Sequence, residues 1–273
     1  MRIHYGFLCL LLSLFLTFAV SGRGDEVLRG VPQAYRAEVS HALELAGDNR
    51  GQLLGAIEGI QPEHRVAVAF LIANMPQRDL TSLTKDFLLD NIRLAYQARE
   101  ASAWAKAIPA DLFLNDVLPY ANLNEDRDSC RKDLFERFAP EVKTCKTSGE
   151  AAIKLNSLIF DVLNVHYHAT KRPKPDQSPA ESMKATYASC TGLSILLVDA
   201  CRAVGVPART AGTPAWTIPQ GDKNGNHAGN HTWAEVWDGQ WHFLVLQRYP
   251  LHFRPLLRIP SFGIQPAFGR LAL

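Results

Sequence analysis

The chain lacks an apolar run long enough to cross a bilayer, since Phe7 to Val20 reaches only 14 residues and is broken by Ser13 and Thr17. It lacks an excess of either charge: 29 basic residues stand against 27 acidic ones, a net +2. That balance gives no reason to expect nucleic acid or an acidic membrane surface as a partner. It has no internal repeat and no low-complexity segment, which excludes a solenoid. From Gly239 to Leu273 it has no acid and no lysine, only arginines among proline, leucine and phenylalanine. A segment of that composition is odd for the end of a soluble domain, so residues 246–273 are expected to be an atypical tail, for instance one produced by a shifted reading frame from about residue 245. The rest is ordinary for a globular protein, with 47% hydrophobic and 21% charged residues in 273. That length supports one large domain or two modest ones.

The N-terminus differs in kind. Arg2, the run from Phe7 to Val20, and the small residues Ala19, Ser21 and Gly22 read as a signal peptide over residues 1–21. The expectation is export, periplasmic or extracellular, with no membrane span after cleavage. Four cysteines remain beyond it: Cys130, Cys145, Cys190 and Cys201.

Residues 22–147 form an expected helical region. Tyr35 to Leu45, Glu63 to Ala73 and Thr84 to Ala101 each carry apolar residues at three-to-four spacing, with breaks at Pro62, Pro76, Pro109 and Pro119. Ser148 to Val165 is a further helix, opened by Thr147, Ser148 and Glu150 as capping and first-turn residues. Lys171 to Pro179, with three prolines, is a loop that delivers the chain to Cys190.

From 190 to 205, Leu193, Leu196, Leu197, Ala200, Cys201 and Val204 predict a helix buried along one side, with Ser189 as N-cap and Gly205 then Pro207 as stop. Cys190 falls in its first turn, where unpaired amides and the helix dipole favour a thiolate and can stabilise an oxyanion. Cys201, eleven residues on, would lie roughly 16 Å away, too far for a bridge, and reads as a buried thiol. Cys130 and Cys145 are left as a pair that a disulfide could join. Two strand-like stretches follow, Ala208 to Thr213 and Thr232 to Trp237, then Gln240 to Leu246, with Asp238-Gly239 predicting a two-residue hairpin turn. His231 stands where the first hairpin strand begins, after a Gly/Asn-rich loop from Pro219 to Asn230.

The runs Ala188-Ser-Cys-Thr-Gly-Leu-Ser, Cys201-Arg-Ala-Val-Gly-Val-Pro-Ala-Arg209 and Asn230-His-Thr-Trp-Ala-Glu-Val-Trp237 resemble the core of the transglutaminase-like superfamily. The resemblance covers roughly Ser148 to Leu244. It implies an α+β papain-like core over residues 148–245, a Cys-His-Asp triad, and acyl transfer on amides. In such a core Cys190 is the nucleophile and His231 its general base. Many bacterial members of this kind are exported and are thought to hydrolyse peptides rather than cross-link them.

The third member is missing. The family usually has an Asp a few residues after the tryptophan that matches Trp241, and here the text is Trp241-His-Phe-Leu-Val-Leu-Gln-Arg248. With a two-residue turn, Trp237 would face Gln240 and His231 would face Leu246, putting His242, Leu244 and Leu246 on the histidine's face. Gln247, a neutral amide, would need a bulge to turn inward. Trp233 shares the His231 face and is expected in a substrate cleft. Trp237 and Trp241 either line that cleft or pack. His227 and His231 lack the helix that would make them a metal pair, and His166 and His168 lack a third ligand, so no metal is expected and no cofactor is required. The favoured function is an exported thiol-dependent enzyme acting on peptide or protein amides, by hydrolysis rather than cross-linking. The alternative is a catalytically impaired relative that binds peptide or cell-envelope material.

Overall fold

The computed structural model describes residues 26–217, 228–244 and 246. The expected signal segment, His227, Gln247 and the tail from 247 onward lie outside the described residues.

The first compact unit, residues 1–89, is helical in its described part. It contains α1 (Arg36–Leu45), α2 (Arg50–Gly59), α3 (Arg65–Asn74), α4 (Gln77–Leu80) and the start of α5 (Lys85–Glu100). In α3, Ala67 to Ile72 are all buried, so this helix is hydrophobic all round and central. α1 and α2, with Leu43, Leu53 and Ile57 buried, pack against it. Pro76 forces Met75 into extended backbone and ends α3. The Asn49 side chain donates to the carbonyls of Leu80 and Leu83, both at 2.9 Å, and so ties the start of α2 to the connection before α5.

The second unit, residues 90–273, takes the remainder of α5, then α6 (Ala103–Lys106), α7 (Ala110–Asp116), α8 (Arg131–Val142) and α9 (Ser148–Val162). There follow β1 (His166–Tyr167), α10 (Pro179–Ala185), β2 (Tyr187–Ala188), α11 (Cys190–Ala203), β3 (Ala208–Thr217), β4 (Ala228–Trp237) and β5 (Trp241–Leu244). β1 and β2 pair in parallel, and β3-β4-β5 form an antiparallel sheet. The class is α+β, and its core is the sheet and helices gathered around α11.

α11 packs against α8, α9, α10 and the sheet. The spacing of its leucines predicts one buried side, yet Thr191 to Val198 and Ala200 to Ala203 are all buried. Neighbours on every side remove the solvent face. It stops as expected: Gly205 takes φ +91°, and the Val206 amide donates to the Cys201 carbonyl at 2.9 Å.

A buried polar clamp holds the irregular 117–130 segment. Arg131 donates to the carbonyls of Val117, Leu118, Pro119 and Arg202, and to Asn91. Arg202, 2% exposed, donates to the carbonyls of Ala121 and Ala208, both at 2.9 Å. Asp199 supplies countercharge to both and accepts from the Asn122 amide at 2.8 Å.

The hairpin departs from its expected register. Trp237 pairs with Trp241, Glu235 with Phe243 and Ala234 with Leu244, so the turn has three residues, Asp238 to Gln240. The cause is tertiary. The Asp238 carboxylate accepts from the hydroxyls of Thr147 (3.0 Å) and Ser148 (3.1 Å) at the start of α9, while Gly239 takes φ +77°. The one-residue slip exchanges the faces of β5, so Trp241 and Phe243 share the side of His231, and His242 and Leu244 do not. Cys130 and Cys145 are also not a pair. They flank α8 at opposite ends, roughly 18 Å of helix apart, and both are free thiols.

Candidate active site

Cys190 opens α11 as a half-buried cysteine that forms no disulfide. Ser189 is at the N-cap position, but its hydroxyl makes no cap bond. It accepts instead from Arg172 Nη1 at 2.9 Å. The first-turn amides of α11 are therefore not consumed by a side-chain cap. Gly192 is demanded by closeness rather than by dihedral: a Cβ there would meet the Ala188 Cβ at 2.9 Å.

The approach to Cys190 is built by two elements. The Ser178-Pro-Ala-Glu181 sequence forms a full capping box with proline at N1, which starts α10. The parallel bridge then sets Tyr167 beside Ala188, two residues before the thiol. Burial, with the charge on Cys190 adding to it, pushes the Tyr167 phenol up, and Arg172 pulls it back. His166 and His168 flank the Tyr187 ring at 6.1 and 5.8 Å. His168 Nδ1 accepts from the amides of Thr170 and Lys171, so its own proton lies on Nε2. Among the described residues no cluster of three His, Cys, Asp or Glu could hold a metal.

His231 lies inside β4, opposite Thr213. Between Thr213 and Trp216 the β3–β4 ladder slips by one residue, a bulge immediately beside the histidine. Bulges of this kind re-aim neighbouring side chains. Burial lowers the His231 pKa to about 4. The imidazole is therefore neutral near pH 7 and ready to accept a proton.

The structure joins the elements carrying Cys190 and His231 at the adjacent residues. The hydroxyls of Thr191 and Thr232 share a hydrogen bond of 3.1 Å, and Ser194 Oγ donates to the Thr232 carbonyl at 3.2 Å. The first turn of α11 is thus anchored on β4 one residue from His231.

Trp233, expected in the cleft, is only 1% exposed. Its ring lies 6.0 Å from His231 and 5.5 Å from Phe243, and its indole donates to Glu235 Oε1 at 3.3 Å. Glu235, 3% exposed, is paired with Arg209 at 2.7 Å, and that guanidinium lies 3.9 Å over the Trp241 ring. Trp233 therefore backs the imidazole and does not line a cleft. Arg209 and Glu235 stand within the sequence motifs, and nothing in their local pattern signals this pairing. Tyr167 and Arg172 carry no sequence signal of a role, and a two-residue bridge and a loop contact bring them to the site. The capping box at Ser178 was a legible signal for α10.

A helix that presents a thiol at its start, packed on an antiparallel sheet that carries a desolvated histidine, defines the general class of papain-like thiol enzymes. Within that class, residues 136–245 match the sequence model of the Transglutaminase-like superfamily. A solved structure of a candidate cysteine protease from Cytophaga hutchinsonii is 18% identical, with a TM-score of 0.39. That match covers 55% of this chain and 47% of the other, about half its length. No curated protein matches. Among the described residues no helix is long and apolar enough to cross a membrane.

Proposed function

We propose that this chain is an exported thiol-dependent acyl-transfer enzyme acting on peptide or protein amide bonds, with Cys190 as nucleophile and His231 as general base. The observation that carries the reading is the Thr191–Thr232 hydrogen bond, which draws the start of α11 to β4 beside the two residues. The cysteine thiol transfers its proton to the neutral imidazole as sulfur attacks the carbonyl carbon. The C–N bond breaks, the amine leaves with the proton from His231, and a thioester remains. Water then attacks the thioester and gives the acid, with the thiol restored. Export rests on Arg2 and the run from Phe7 to Val20. An oxidising compartment is compatible with the thiols of Cys130 and Cys201. Burial pushes Cys201 up to about 12 and Cys130 well above its ordinary value, so neither offers a thiolate to an oxidant.

A second reading, an impaired relative that binds peptide or cell-envelope material, is favoured by one observation: β5 carries no acid. Iodoacetamide at pH 7 separates the two. An active pair labels Cys190 faster than free cysteine, leaves Cys130 and Cys201 unlabelled, and slows to the free rate in His231→Ala. Labelling of Cys190 at the free rate in the unaltered protein, with no release from a fluorogenic peptide library, supports the binding protein and refutes the enzyme.

A further inference from the structure

Among the described residues, Arg172 stands apart from the other arginines of its unit. Arg93, Arg137 and Arg209 donate to carboxylates, and Arg99, Arg127, Arg131 and Arg202 donate to backbone carbonyls. Arg172 bonds only a hydroxyl, Ser189 Oγ, among the described residues. That contact uses one of five N–H donors and holds the guanidinium at the residue preceding Cys190. The nearby lysines are engaged elsewhere. Lys174 is spent on Asp126 (2.7 Å) and Glu181 (2.8 Å), and Lys171 lies over the Tyr187 ring at 5.7 Å. Arg172 is half-buried, so a carboxylate meeting it is partly desolvated and is bound more strongly than one at an open surface. The Tyr167 phenol feels the charges of both Cys190 and Arg172, which sets all three in one electrostatic neighbourhood.

We propose that Arg172 is a specificity-determining residue that receives a substrate carboxylate beside the scissile amide, so that the acyl donor is an acidic peptide. The inference rests on Cys190 as the reacting centre. The remaining donors form the planar fork that binds a carboxylate through two parallel hydrogen bonds, which a lysine cannot do. The carboxylate belongs either to an acidic side chain or to a peptide C-terminus, and the two share this chemistry.

The test uses the full chain with Cys190→Ala and calorimetric titration of three peptides: acetyl-Ala-Ala-Glu-Ala-amide, acetyl-Ala-Ala-Gln-Ala-amide, and acetyl-Ala-Ala-Gln-Ala with a free C-terminus. At least one carboxylate peptide should bind about tenfold more tightly than the neutral one, and which of them does so identifies the source. Arg172→Gln should abolish the preference, and Arg172→Lys should keep part of it. If Arg172→Gln does not fold, the unaltered site is read in 0.05 M and 0.5 M salt, where the preference should shrink. Equal affinity for all three peptides, no binding by any, a preference that survives Arg172→Gln, or one undiminished in high salt overturns the inference. A preference that depends on Arg172, together with an unreactive Cys190, leaves the carboxylate site standing and removes the enzyme.

Discussion

Protonating His231 means charging a ring that the fold has partly withdrawn from water, and its pKa falls to about 4 as a result. As the general base it must be neutral, so kcat/KM should rise with pH through about 4 and level off above. A pH–rate profile whose acid limb sits near the ordinary histidine value of about 6.5 would remove His231 from that role. The same shift bears on stability. The unfolded imidazole takes a proton near pH 6.5 and the folded one only near 4, so stability present above pH 6.5 is lost as pH falls toward 4. Melting temperatures at pH 7 and pH 4.5 should differ less in His231→Gln than in the unaltered protein. The residue type and its approximate place after the loop were legible in the sequence. Its desolvation was not, because Trp233 and the bulge beside Thr213 come to it through the sheet.

Elements are legible in the sequence where one helix decides its own ends. Thr147 accepts from the Glu150 amide at 3.2 Å and starts α9, as the hydroxyl and early acid at 147–150 predict. The hairpin lies one residue out of the register that Asp238-Gly239 alone predicts, because its turn is set by the start of α9, 90 residues upstream. Removing that tie should be costly: Asp238→Ala leaves the Thr147 hydroxyl without its acceptor, while Ser148 keeps the Trp237 carbonyl, and should destabilise the chain by about 1–3 kcal/mol in urea unfolding. At the start of α11, Gly192→Ala drives a methyl into Ala188 within a packed core and should cost about 1–3 kcal/mol. An unchanged urea midpoint in Gly192→Ala would show that the neighbouring strand yields freely.

Across the second unit, a charged network couples the irregular 117–130 segment to α11. Burial, with Glu125 and Asp128 adding like charge, raises the Asp199 carboxyl to about 7, although Arg202 and Asn122 pull it back. Here the folded value lies above the unfolded one near 3.8. The contribution to stability is complete below about pH 4 and is lost as pH rises through 7. Asp199→Asn keeps a side-chain acceptor for Asn122 and removes the charge, so it should be more stable than the unaltered protein at pH 8 and show little gain at pH 5. Denaturant midpoints at the two pH values check this. A loss of stability at pH 8 would mean that Arg131 and Arg202 need the negative charge more than the fold suffers from burying it.

By itself the sequence determined the helices around residues 36–45, 65–74, 85–100, 148–162 and 190–203, the strand order around Asp238, and the two residues proposed as thiol and base. Each of those rests on local pattern, capping and residue type, which act over a few positions. The tertiary structure alone decided which face of β5 meets His231, that Trp233 is buried support, that Cys130 and Cys145 stay apart, and that an arginine from a proline-rich loop reaches the residue before Cys190. Those outcomes depend on contacts between segments tens of residues apart, where packing and desolvation override what neighbours along the chain prefer.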